Sequence, residues 1–148
     1  MTAGHRPATL LVVHHTTSPS LETMLDAVLQ GTRAEGIEGV EVVVRPALGA
    51  TASDVLTAGA VLLGTPANIG YMSGALKHFF DRSFLFIGGS LDPYGGASSE
   101  SVGVTSGRPF GLWVHGNYDT TGAVRSVLAI VGALGWKQAA PILESRGE

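Results

Sequence analysis

Apolar positions along the chain fall into two kinds of run. Leu10-Leu11-Val12-Val13, Val40 to Val44, Ala60-Val61-Leu62-Leu63, Phe110 to Val114 and Ala139 to Leu143 are short and nearly continuous. The first two are rich in β-branched residues, and short continuous apolar runs are the pattern of strands buried on both faces. Between them, apolar residues recur at helical spacing. Leu21, Met24, Leu25, Val28 and Leu29 line one helical face, and Glu22, Asp26, Gln30 and Arg33 take the other. Ser18 is placed to cap this helix with Pro19 at its first position. Ser53-Asp54 opens a short helix to about Ala58. Met72, Leu76, Phe79, Phe80 and Phe84 mark a helix from about Tyr71 to Phe86, and Val124, Val127, Leu128, Val131 and Leu134 mark another.

The resulting order is β-α-β-α-β-α-β-α-β. Right-handed crossovers turn such an order into a parallel sheet with helices on both faces. The expected fold class is α/β: a flavodoxin-like, doubly wound, five-stranded parallel sheet, order 2-1-3-4-5, formed by residues 1–148 as a single domain. Its ligand crevice belongs at the C-terminal strand ends, between strands 1 and 3, where the winding reverses. The plan normally adds a fifth helix, and the sequence ends at Glu148 first; either the chain is clipped there or a partner chain covers that face. From Gly88 to Arg108 runs a stretch with six Gly, five Ser and no periodicity. A loop of that length in a small domain is usually functional or mobile.

Composition narrows the function. Only 14% of residues are charged and 45% are hydrophobic, which excludes a disordered chain. The net charge is -3 with no basic stripe, so nucleic acid is not an expected partner. The absence of cysteine removes disulfides, thiolate catalysis and Cys-ligated metals, and fits a reducing compartment. No apolar run reaches membrane-spanning length, and Met1–Pro7 carries no leader-like hydrophobic region. The expected location is the cytoplasm, with no membrane partner.

Three loops carry the candidate chemistry. After strand 1, Thr16-Thr17-Ser18-Pro19-Ser20 places four hydroxyls in five positions directly before a helix. Unpaired N–H groups and the partial positive charge of a helix N-terminus suit a phosphate. Without a Gly-Lys-Ser/Thr motif this is no triphosphate loop, which leaves a monophosphate cradle or a plain Ser/Pro helix cap. After strand 3, Gly64-Thr65-Pro66 is expected to open an exposed loop whose backbone amides can meet a planar heterocycle. After strand 4 comes His115-Gly116-Asn117-Tyr118-Asp119-Thr120-Thr121-Gly122. Its expected role is to offer amides and the Tyr118 ring to a ligand; the alternative is an ordinary turn with a cap at Thr120 or Thr121. A receiver domain shares this fold but needs acidic residues where His14 and His15 stand.

The segment Gly64-Thr65-Pro66-Ala67-Asn68-Ile69-Gly70-Tyr71-Met72-Ser73-Gly74-Ala75-Leu76-Lys77-His78-Phe79-Phe80-Asp81-Arg82 resembles the flavodoxin-like NAD(P)H:quinone oxidoreductases and the related NADPH-dependent FMN reductases. Leu21-Glu22-Thr23-Met24 is similar to the start of their first helix. The resemblance runs from Leu10 to Leu143, is closest in this segment, and is weakest between Gly88 and Arg108. It implies noncovalent FMN, with NADH or NADPH as co-substrate and a quinone or similar small molecule as electron acceptor. By position, Thr16, Thr17, Ser18, Ser20 and Leu21 would hold the phosphate. Pro66, Ala67, Asn68 and Ile69 would line the isoalloxazine. His115, Gly116, Asn117, Tyr118 and Gly122 belong to the loop that would reach its other side. Pro19 stands where the family often has Gly, removing one amide donor.

No side-chain nucleophile, acid–base pair or metal is expected, because in such sites the cofactor does the chemistry. The Gly88–Arg108 stretch is expected to form a lid on the acceptor side, and a homodimer or homotetramer is the expected assembly. His14 and His15 are read as structural, and Trp113 as core. Asp81-Arg82 is read as a local ion pair or interface contact. Tyr94 and Trp136 would approach a flavin only from a neighbouring subunit or a folded-back loop. The rivals are a non-enzymatic flavodoxin-type electron carrier, which usually shows a strongly acidic face, and a flavin-free domain binding another phosphate in the same crevice.

Overall fold

The computed structural model describes residues 8–98 and 103–147. Met1–Pro7, on which the leader reading rests, part of the glycine-rich stretch (99–102) and Glu148 lie outside them. In chain order the elements are β1 (Ala8–His14), α1 (Pro19–Thr32), β2 (Val40–Pro46), α2 (Ala52–Thr57), β3 (Ala60–Asn68), β4 (Tyr71–Met72), α3 (Gly74–Ser83), a 3-10 turn (Phe84–Phe86), β5 (Pro109–Gly116), α4 (Thr121–Ala133), β6 (Lys137–Gln138) and β7 (Leu143–Arg146).

The main sheet runs β2-β1-β3-β5-β6 with every pair parallel, and β7 continues the last edge along β5. With the two-residue β4 set aside, this is the expected order, and the fold is a flavodoxin-like doubly wound sheet. Alternate residues Leu11 and Val13, Val61 and Leu63, and Leu112 and Val114 bury one face in a core shared with Phe79 and Phe80 of α3 and Val127 and Val131 of α4. On the other face Leu21 of α1 is buried, while Met24, Leu25, Val28 and Leu29 stay half-buried. Trp113 fills part of that face and lies over Gly64: a Cβ at Gly64 would stand 2.0 Å from its indole ring.

Three element boundaries differ from the expected ones, each for a local reason. Strand β3 does not stop at Gly64-Thr65-Pro66; it continues to Asn68. Those three residues are buried in the sheet rather than in an exposed loop. The third helix begins at Gly74, not Tyr71, because the chain first folds back on β3 as β4 (Ala67 opposite Met72, Asn68 opposite Tyr71). Ser73 then caps it, its hydroxyl accepting from Leu76 N at 3.2 Å. The last strand is split, and Ala139–Leu143 is mostly the gap. Phe110 pairs with Gln138 but Trp113 with Leu143, so the two residues Gly111 and Leu112 face the four residues 139–142. Pro141, which has no N–H to give to a ladder, sits in that bulge.

The described ends of the glycine-rich stretch are not at the crevice. The stretch joins the C-terminal end of α3 to the start of β5, at the edge of the sheet where strands begin. Gly107 N bonds Gly135 O after α4, and Lys137 N bonds Arg108 O. Arg108 donates to Val55 O in α2 at 2.6 Å, and burial lowers its guanidinium pKa. A Cβ on Gly103 would meet Gly88 O at 2.2 Å, so two glycines cross where the stretch closes. Thr105, fully buried, donates to Ile87 O and accepts from the Trp136 indole N–H at 2.8 Å. Leu91 bridges Ala97 in a small hairpin turned by Asp92, whose carboxylate accepts from Tyr94 N and Gly96 N. The two described ends of this stretch are therefore anchored at the edge where strands begin, and its hairpin lies against α3 and α4, beside Lys77, Asp81 and Ala129. Among the described residues, no helix is long and apolar enough to cross a membrane.

Candidate functional site

The site begins as a step in the sheet. β1 ends at His14, paired with Gly64, and His15 N bonds Gly64 O. β3 then rises four residues further to Asn68, about 13 Å at ~3.3 Å per residue. β5 rises beside it to Gly116, with His115 opposite Pro66. The chain leaving β1 turns into α1 below this wall. The step lies between β1 and β3, where the winding reverses and open α/β sheets bind their ligands.

The floor of the step is the hydroxyl loop. Ser18 caps α1: its side chain accepts from Leu21 N at 3.2 Å, with Pro19 at the first helical position. Thr16, Ser18 and Ser20 are half-buried and Thr17 is exposed, so the loop is neither closed over nor filled by core. Leu21 is buried, and its N–H already serves the cap; its contribution is to anchor the helix. No Lys or Arg lies between His14 and Leu21. The His14 ring touches this loop directly, Nδ1 lying 2.8 Å from Thr16 Oγ1. Burial first, and the charge of His15 second, lower the His14 pKa below its usual value. His15 Nδ1 is buried with no hydrogen-bond partner.

One wall is the β3–β4 turn. Asn68 and Tyr71 close a two-residue hairpin around Ile69 (φ +49°) and Gly70 (φ +70°). Positive φ at both central residues is the type I′ signature, which favours Asn-Gly. Ile69 is the only non-glycine residue of positive φ among the described residues. A β-branched side chain there is a genuine outlier. The residue is also fully exposed, at 105% relative accessibility, so no packing compensates. Strain of this kind, held by surrounding structure, is characteristic of ligand clamps. The hold is visible. Thr65 Oγ1 accepts from Ser73 N at 2.9 Å, and Ser126 Oγ of α4 accepts from Met72 N at 3.2 Å. A Cβ at Gly122 would lie 1.9 Å from Gly70 O, so only glycine lets α4 seat the turn this closely.

The other wall is the loop after β5. His115 and Gly116 prove to be the last residues of the strand, not part of the loop. His115 is largely buried, with Nδ1 3.0 Å from Ser145 Oγ of β7. The Gly116 carbonyl accepts from Gly147 N. Asn117, Tyr118 and Asp119 are exposed, Tyr118 by 86%. Asp119 rather than Thr120 or Thr121 supplies the cap, its carboxylate accepting from Thr121 N at 2.9 Å. Hydrogen bonds from the Thr121 side chain and backbone hold its pKa low, aided by Arg146.

Of the residues expected at the site, Thr16, Thr17, Ser18, Ser20, Asn68, Ile69, Asn117 and Tyr118 border the open step. Pro66 and Ala67 form its β3 wall. Leu21, His115, Gly116 and Gly122 stand behind it as supports. Much of the Gly64–Arg82 pattern is structural: Gly64 makes room for Trp113, Thr65 ties Ser73, and Asp81 pairs with Lys77 at 2.6 Å rather than with Arg82. Arg82 instead donates to Ala50 O. His14 is the residue that sequence reasoning set aside; its place one turn from four hydroxyls was the available signal.

No family model matches the chain. A flavodoxin of Aquifex aeolicus (strain VF5) is 34% identical over 83 residues, 56% of this chain. The match spans 44% of that protein's length, less than half of it. Among solved structures, a Streptococcus pneumoniae TIGR4 flavodoxin superposes with a TM-score of 0.67 at 18% identity, covering 95% of this chain and 85% of that one. An NADPH-quinone reductase from P. pentosaceus superposes with a TM-score of 0.61 at 17% identity, with the same coverages of 95% and 85%. The fold of this chain is the one these flavodoxins and reductases share.

Proposed function

We propose that the chain binds FMN noncovalently in the step between β1 and β3, and serves as an NAD(P)H-dependent reductase of a quinone or similar small acceptor. The observation that carries the reading is a hydroxyl-lined helix N-terminus, with no Lys or Arg between His14 and Leu21 and with Glu22 exposed in its first turn, below an open wall whose two rims, Ile69 and Tyr118, are exposed. A phosphate fits the floor: Thr16, Thr17, Ser18 and Ser20 donate O–H groups, and the first turn of α1 adds its partial positive charge. A flat, largely apolar ring fits the rims, with Pro66 and Ala67 behind it and Asn68 and Asn117 beside its polar edge. When bound, FMN supplies the hydride and electron transfer that no side chain here provides. The chain's own residues bind and orient. The docked turn fixes Ile69, the Asp119 cap fixes the loop of Tyr118, and both leave one side open to a second reactant.

The test is spectroscopic and then kinetic. Micromolar FMN should show a perturbed visible spectrum and raise the melting temperature, and the loaded protein should oxidise NADH or NADPH when a quinone is present. An unchanged spectrum and melting temperature would remove the cofactor reading. The 34% match to a flavodoxin favours a second reading, an electron carrier without reductase activity. FMN binding with no NAD(P)H oxidation would select it. The net charge of -3 supports the reductase instead, since carriers usually present a strongly acidic face.

A further inference from the structure

We propose that His14 is a positioning residue of the phosphate cradle: by donating from Nδ1 to Thr16 Oγ1 it turns the Thr16 hydroxyl proton outward toward a bound phosphate. The inference rests on the FMN reading for the identity of the ligand, but its geometry belongs to this chain. His14 is the last residue of β1, and Nδ1 lies 2.8 Å from Thr16 Oγ1.

A threonine hydroxyl has one proton and two lone pairs. If Thr16 donates to His14, it presents only lone pairs to the step, and an anionic phosphate oxygen finds no donor there. If His14 donates, Thr16 accepts from the ring and its own proton is free for the phosphate. The ligand therefore selects the forms of His14 that carry a proton on Nδ1: one neutral tautomer, or the imidazolium. A dianion one hydroxyl away favours the imidazolium further.

The surroundings define what this coupling works against. In the free protein, burial and His15 disfavour the charged ring. Across the sheet, His14 faces Pro46 of β2 and Gly64 of β3, neither of which titrates. The nearby charged or titratable groups of the packed elements are Arg45 of β2, which pairs with Asp54 at 3.8 Å, exposed Glu22 in the first turn of α1, and His115 of β5, bonded to Ser145. None of these is bonded to His14. The bound phosphate would supply the missing negative charge. Its binding should then draw a proton onto His14, and affinity should rise as pH falls from the ring's value in the complex to its lower value in the free protein. A rise of about one pKa unit caps the gain at about tenfold.

The phosphate of FMN itself gains a proton near pH 6, which acts in the opposite direction. The experiment therefore compares variants. FMN and riboflavin dissociation constants are measured from pH 5.5 to 8.5 for the wild type and for His14→Asn, which keeps a donor near the Nδ1 position but cannot titrate. The expected result is that, relative to His14→Asn, wild-type affinity for FMN gains about three- to tenfold toward low pH, while riboflavin shows no such difference. In Thr16→Val the His14→Asn change should lose this effect. A parallel NMR titration follows the His14 ring with and without inorganic phosphate, and its pKa should rise when phosphate is added. Coincident FMN profiles for wild type and His14→Asn would overturn the proposal. If neither flavin binds, the FMN reading fails separately, and the phosphate titration still decides: a His14 pKa unmoved by phosphate overturns the inference, and a raised one supports it.

Discussion

Ile69→Asn is expected to make the protein more stable and worse at binding flavin. Ile69 sits at φ +49° in a two-residue turn before Gly70. Left-handed backbone costs an L-residue roughly 1–2 kcal/mol, and Asn tolerates it far better. Full exposure of Ile69 means that its removal loses no packing. Relief of about 1 kcal/mol should raise the melting temperature by roughly 2–4 °C at this chain length. Binding responds oppositely. Complete burial of an Ile side chain is worth about 1.5–3 kcal/mol. Covering one face of a ring uses part of that, so a loss of about 1 kcal/mol, roughly fivefold in Kd, is expected for FMN and riboflavin alike. Thermal unfolding followed by circular dichroism without flavin, and flavin titration by fluorescence quenching, read the two effects. A lowered melting temperature would refute the strain argument. Unchanged affinity for both flavins would refute the assignment of Ile69 to the ligand wall.

Four other perturbations follow from the same structure. Gly64→Ala drives a methyl into the Trp113 ring, and such overpacking should cost about 1–3 kcal/mol in denaturant unfolding, with a shift in tryptophan emission. Gly122→Ala meets the Gly70 carbonyl and should displace the turn, lowering flavin affinity together with stability; an unaffected Kd would separate the turn from the site. Thr105→Val strips the acceptor from the buried Trp136 indole N–H, a loss of about 1–3 kcal/mol by the same unfolding assay, without effect on flavin affinity because this residue lies at the opposite edge of the sheet. Asp119 has a lowered folded-state pKa, so its contribution is present above the ordinary carboxylate range and is lost as pH falls through the folded value. The pH dependence of unfolding should therefore weaken on the acid side in Asp119→Asn.

The parts of the fold that local chemistry dictates were legible in the chain. Ser18 and Pro19 begin α1 as their side chains require, and the Val and Leu runs of β1 and β3 lie at the buried centre of a parallel sheet. Val40 to Val44, expected to be buried as well, instead lies in the edge strand β2 and stays exposed or half-buried. Boundaries failed where tertiary contacts decide. Nothing local in Gly64-Thr65-Pro66 shows that neighbouring β5 carries β3 onward, or that Trp113 needs the space at Gly64. Pro141 signals a break, but the apolar run around it reads as one strand. The lid expected from Gly88–Arg108 drew on composition alone; because α3 runs antiparallel to the strands, the described start of the stretch leaves from the far edge of the sheet. At the site, residue types revealed the hydroxyl floor. The left-handed Ile69 and the His14–Thr16 contact depend on a hairpin and a strand end that periodicity does not resolve.

FMN binding at this site requires that the floor of the step grip a phosphate. The most direct measurement is calorimetric titration of FMN and riboflavin into the wild type, Thr16→Ala and Ser18→Ala. Each substitution should weaken FMN by about 1–2 kcal/mol, the size of one charge-assisted hydrogen bond, and leave riboflavin nearly unchanged. Equal losses for the two flavins, or no heat from either, would contradict it.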